Sequence, residues 1–127
     1  MTLARTKLPD VYPEGATAYL SATITDTDGV TPLANADTVL TTLTLTLFED
    51  VSCTVINSCT ARNILNANGG SVSAAGALVV RLDPADMARS TGRSALHVAL
   101  ITWTWGTPLK TGRHEIAFVV ADLALVT

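Results

Sequence analysis

The run Val39-Leu-Thr-Thr-Leu-Thr-Leu-Thr-Leu-Phe-Glu49 decides the fold. Leu43, Leu45 and Leu47 alternate with Thr42, Thr44 and Thr46. That period of two belongs to a strand with one buried face. The leucines face inward, and the β-branched threonines suit an exposed pleated surface.

Outward from this strand the same period recurs. In Thr17–Asp26, Leu20, Ala22 and Ile24 point one way and Tyr19, Ser21, Thr23 and Thr25 the other. Asp26-Thr-Asp-Gly29 then turns the chain, the glycine supplying positive φ, and Pro32 to Asp37 continues as loop. After the central strand, Val51 to Ile56 reads as a short return strand, and Arg62 to Ala67 as one helical turn ended at Asn68-Gly69. Val72-Ser73 and Ala77 to Leu82 flank Ala75-Gly76 as a tight hairpin. Asp83-Pro84 opens a helical turn through Met87, because Asp caps and Pro suits the first helical position. Ser94 to Gly106 is a long strand, Pro108 to Gly112 a turn, and Arg113 to Val120 a final core strand carrying Ile116, Phe118 and Val120 on one face.

About seven short strands separated by turns, with no helical periodicity beyond single turns, predict an all-β fold: an immunoglobulin-like antiparallel β-sandwich. Its domain spans residues 17–127. Residues 1–16 read as an extended N-terminal arm, because Pro9, Pro13 and Gly15 argue against regular structure there. Val11, Tyr12 and Pro13 give the arm something to dock with, on its own domain or on a neighbour.

A chain of 127 residues is one domain. It needs no metal or disulfide to build a core. Charged residues make up only 15%, against about 25% in an average domain. Such a surface suits a subunit of an assembly better than a free monomer. The eight Lys and Arg are scattered and the net charge is −3. Nucleic-acid binding needs clustered positive charge and is set aside. Met1 to Asp10 lacks a signal-peptide apolar core, and no run approaches the ~18 apolar residues of a membrane helix, so a soluble protein made in the cytoplasm is expected. There, Cys53 and Cys59 default to free thiols.

Side chains with chemical potential have bland alternatives. Trp103 and Trp105, with His97, Ala99 and Ile101 on the same face, either pack in the core, meet a protein partner or form a stacking platform for a sugar. His97 and His114 fall on adjacent strands, where they can meet, but no nucleophile motif accompanies them. Thr25-Asp-Thr-Asp-Gly29 has two carboxylates near a glycine yet lacks the remaining calcium-loop ligands. Asp83 and Asp86 read as a cap and a solvated turn acid. No catalytic residue, cofactor or metal ligand is therefore assigned, and the chain is read as a non-enzyme.

Several stretches together carry a resemblance: Thr42-Leu-Thr-Leu-Thr-Leu-Phe-Glu49, Val55-Ile-Asn57, Asn63-Ile-Leu-Asn-Ala-Asn-Gly69, Ala74-Ala-Gly-Ala-Leu78, Leu82-Asp-Pro-Ala-Asp-Met87 and Gly112-Arg-His-Glu-Ile-Ala-Phe-Val119. From about Thr17 to Val120 the layout resembles small immunoglobulin-like virion proteins of tailed bacteriophages and is similar to the N-terminal sandwich of baseplate upper proteins. The cysteine pair departs from that pattern. The resemblance implies a structural role in the virion: a neck or tail adaptor or fibre anchor, or a decoration protein cementing the capsid. Its implied partners are other virion proteins, portal, neck and tail or capsid, and further copies of itself in a homo-oligomer, with no membrane or nucleic acid. The expected assembly surface is Val11, Tyr12, Pro13, Trp103, Trp105, Leu123 and Leu125. A carbohydrate-binding module using Trp103 and Trp105 is the alternative from another class, and a small hydrolase a remote one.

Overall fold

Alternating apolar residues on strands must be buried against a second layer, and two sheets provide it. The structure, a computed structural model, describes residues 4–50, 52–88 and 94–121. Among these are eight strands: β1 (Ala4–Pro13), β2 (Ala18–Thr23), β3 (Leu40–Glu49), β4 (Arg62–Asn63), β5 (Gly70–Val72), β6 (Ala77–Leu82), β7 (Ser94–Trp105) and β8 (Lys110–Ala121). Helix is confined to a single turn, α1 (Ala36–Val39), and a 3₁₀ turn at Pro84–Met87. The sheets are ordered β1-β8-β7-β3-β4 and β2-β6-β5.

The β3 leucines lie fully inside, beside Ile101 and Trp103 of β7 and Ile116, Phe118 and Val120 of β8. Leu20, Val72, Leu78, Val80 and Leu82 close on them from the smaller sheet. Each fully buried Leu or Phe contributes roughly 1.5–3 kcal/mol of transfer free energy. Two close approaches tighten the packing. A β-carbon on Gly112 would lie 2.4 Å from the Trp103 indole, and one on Gly70 2.1 Å from the Ile64 carbonyl oxygen. Only glycine fits either place.

The strand order is that of an immunoglobulin domain. β2-β6-β5 reproduces the B-E-D order of one sheet, and β8-β7-β3-β4 the G-F-C order of the other with one added strand. The first strand makes the difference. β1 lies beside β8 instead of beside β2, and their pairing is parallel, whereas every other named strand pair is antiparallel.

Several sequence expectations hold. The hairpin around Gly76 joins β5 to β6, with Gly76 at φ +83°. Asp83 caps the 3₁₀ turn in a reciprocal capping box with Asp86.

Others are corrected. Ala4–Pro13 is a strand of the larger sheet, not an arm without regular structure, so the sandwich begins before residue 17. β1 sits on a sheet edge, where proline is tolerated. Pro9 falls inside the register break between Lys7 and Val11, and Pro13 is the last residue of the strand. The helical turn expected at Arg62–Ala67 is absent, because Arg62–Asn63 pairs with β3 and Asn66 takes positive φ. Of the expected return strand only the bridge Phe48–Val55 forms, and Val51 lies outside the described residues. Residues 36–39, partly expected as loop, form α1.

Candidate functional site

The position of β1 leaves one side of the sandwich open. A cleft of about 330 Å³ lies between the two sheets at that side. Thr6 and Leu8 of β1 and His114 and Ile116 of β8 form one wall, and Ser21, Ala22 and Thr23 of β2 form the other. Trp103 lies at the cleft, its indole N–H donating to the Thr25 carbonyl at 3.2 Å. Thr6 Oγ1 and His114 Nε2 are hydrogen-bonded at 3.0 Å. Burial pushes the His114 pKa below its ordinary value, against the opposing charge of Glu115.

Backbone polarity along β2 follows from the ladder. Arg81 N–H donates to Gly69 and the Ala77 carbonyl accepts from Ser73, so alternate residues of β6 face β5. The others, Leu78, Val80 and Leu82, face β2 opposite Ala22, Leu20 and Ala18. Tyr19, Ser21 and Thr23 therefore turn their N–H and C=O groups to the outer edge of β2. No backbone partner meets them among the described residues. Unpaired edges are usually blunted by lysine, proline or a bulge. The β1 edge has Lys7, Pro9 and a register break, whereas β2 has none of these.

Exposed apolar side chains gather in two further places. Tyr19 and Val79, 64% and 44% exposed, project from the outer face of the smaller sheet. Val30, Val39 and Leu109, 78%, 41% and 61% exposed, stand at the end of the sandwich where β2 and β7 finish and β3 and β8 begin.

The residues expected at an assembly surface divide. Val11 and Pro13 are exposed, but on a strand of the sheet, and Tyr12 is half-buried with its ring 5.7 Å from that of Phe118. Trp103 and Trp105 belong to the core, 2% and 6% exposed, which corrects their placement at an interface and removes the sugar platform. Leu123 and Leu125 lie outside the described residues. The β2 edge was missed. Its period of two and its lack of Lys and Pro were visible in the sequence, but its position at a sheet margin was not.

The remaining candidates serve structure. Asp28 accepts hydrogen bonds from the Val30 and Thr31 N–H groups and from the Thr31 hydroxyl, closing its own turn. Those bonds, the Thr31 hydroxyl foremost, lower its pKa. His97 and His114 share the inner face of adjacent strands but sit at different heights, opposite Phe118 and Ile101. Asp86 is buried, not solvated. Arg62 holds it in two hydrogen bonds of 3.0 and 2.8 Å, Asn57 in one of 2.9 Å, and the Asp83 N–H in one of 3.0 Å. Cys53 is an exposed free thiol and Cys59 a buried one, whose pKa burial raises.

Fold and cleft thus define a two-sheet β-sandwich in which, among the described residues, the outer edge of β2 has no backbone partner. A scan against protein-family models and searches of curated proteins and of solved structures found no match to the chain.

Proposed function

We propose that this chain is a structural subunit of a tailed-bacteriophage particle, at the neck or tail as an adaptor or fibre anchor, and that it acts by protein–protein assembly. The observation that carries the assembly reading is the unblunted edge of β2 with exposed Tyr19 beside it. Such an edge is a template for another chain. The weakly charged composition and the apolar group Val30, Val39 and Leu109 support it. The phage setting rests on the resemblance in turns and strands described above. Capsid decoration is the alternative within the same class.

Quantitative mass spectrometry of purified particles, with the portal protein as internal reference, tests this. A copy number comparable to the portal ring is expected. Hundreds of copies per particle would favour the decoration role, and absence from particles would overturn the reading.

A further inference from the structure

We infer that the cleft between β1, β8 and β2 binds a small amphipathic carboxylate, a short aliphatic chain ending in a carboxyl group. Its volume of about 330 Å³ falls at the lower end of the roughly 300–1,000 Å³ usual for small-molecule sites. The lining is polar toward one end and apolar toward the other. β1 and β8 run parallel, and on each the polar lining residue precedes the apolar one by two positions: Thr6 before Leu8, His114 before Ile116. Thr25 joins the polar end. Its carbonyl accepts from Trp103, which pairs with Gly112, the neighbour of Arg113. That bond uses the indole N–H, so Trp103 brings only ring surface to the cleft.

The charge of the polar end selects an anion. Among the described residues, no acid lines the cleft, and Arg113 stands exposed at its rim. Arg62 and Arg81 are held by Asp86 and Asp83, whereas Arg113 has no ion pair among the described residues. The His114 ring, kept neutral near pH 7 by burial against the pull of Glu115, adds no competing negative charge. The Thr6 hydroxyl, bonded to His114, retains hydrogen-bonding capacity, since a hydroxyl donates once and accepts twice. A carboxylate at this end answers the guanidinium. An ammonium meets it as a like charge, and an alcohol leaves it without a counter-charge.

The apolar end sets the length. Two positions along a strand are roughly 7 Å, the span from the polar groups to Leu8 and Ile116. About five carbon–carbon bonds cover it, which makes hexanoate the matching probe. Leu8 and Ala22 are only partly buried against the core. A chain lying between the sheets covers what the core leaves open on them.

The inference does not rest on the assembly reading, and its test contains no other protein. The purified full chain is titrated with hexanoate at pH 7 and followed by its amide and imidazole NMR signals. Saturable shifts are expected at Thr6, Ala22, Trp103 and His114, with a dissociation constant on the order of 1 mM, as suits so small a ligand. Hexanol and hexylammonium are expected to bind about tenfold more weakly, the effect of one charge-assisted hydrogen bond. Arg113→Gln is expected to weaken hexanoate by the same factor and to leave hexanol unchanged. Ala22→Leu fills the apolar end and is expected to abolish binding; where it unfolds the chain, the exposed Arg113 variant decides. A bound carboxylate opposes the effect of burial at His114, so the imidazole midpoint rises with hexanoate and stays put with hexanol. Shifts that do not saturate or that spread over the whole surface would overturn the inference, as would hexanol binding as tightly as hexanoate. Tighter binding of N-acetyl-leucinamide would do the same and give the cleft to a peptide side chain.

Discussion

Among the described residues, Asp86 and His97 are both buried polar groups, and they are accommodated in opposite ways. Asp86, 1% exposed, is met by two guanidinium nitrogens, an amide and a backbone N–H. His97, with no exposed surface, has neither ring nitrogen hydrogen-bonded. Glu49 Oε1 is 3.6 Å from Nε2, beyond hydrogen-bond distance, and the Phe118 ring meets the imidazole edge-on. The difference shows in the direction of charge. Burial works against ionisation at both, but hydrogen bonds from Arg62 and Asn57 overcome it at Asp86 and lower the pKa. At His97 burial prevails over the attraction of Glu49 and Glu14, and the neutral ring is favoured. One site is a charged clamp, and the other is a neutral ring filling the core.

Breaking the clamp is the largest expected effect. Arg62 is on β4 and Asp86 on the 3₁₀ turn, 24 residues apart, so the pair ties the irregular segment after β3 to the turn before β7. Arg62→Ala leaves a buried carboxylate without its counter-charge, held only by the Asn57 amide and the Asp83 N–H. A loss of about 3 kcal/mol is expected, read as a lower urea midpoint with unchanged slope; a loss below about 1 kcal/mol would mean water replaces the guanidinium.

Geometry sharpens the point at a smaller scale. Arg62→Lys keeps the charge but cannot present two parallel N–H groups. About 1–2 kcal/mol is expected to be lost, near the value of one charged hydrogen bond. Equal losses in the Lys and Ala variants would show that the fork, not the charge, carries the clamp. The acid limb follows from the same site. The folded-state pKa of Asp86 is depressed, so its contribution is fully present above the unfolded value near 3.9 and is lost as pH falls below it. A urea series from pH 5 to pH 2.5 is expected to show that fall in the parent and a flatter profile in Asp86→Asn.

How far these features could be read in the sequence depends on how local their causes are. The β3 alternation and the Asp83-Pro84 cap need only neighbouring residues, and both stand as expected. The face carrying His97, Ala99, Ile101, Trp103 and Trp105 was visible as a stripe. That it is the core face follows from the second sheet packing on it. β1 was missed because its prolines argue against a strand in general, while an edge strand with a register break accommodates them. The sequence around Asp86 reads as a solvated turn because Arg62 and Asn57, its partners, are far away in the chain. The open β2 edge is the most distant consequence of all, since it exists only because β1 pairs elsewhere.

The smallest effect is expected at His97, and its sign sets it apart from the clamp. The folded-state pKa lies below the ordinary 6.5, so the unfolded chain takes up the proton first as pH falls. Stability is therefore complete above about pH 6.5 and declines as pH falls through the folded pKa. Glu49 and Glu14 act to hold the proton on the ring, and Phe118 offers it no acceptor. His97→Phe replaces the ring with an apolar one of similar size and removes the titrating group. At pH 7.5 a change within about 1 kcal/mol is expected, as for a volume-conserving core exchange. The thermal midpoint of the parent is expected to drop between pH 7.5 and pH 5, and that of His97→Phe to drop less. A parent whose midpoint holds steady across that interval would mean that Glu49 stabilises the charged ring as fully as water does, and the neutral-core reading of His97 would fail.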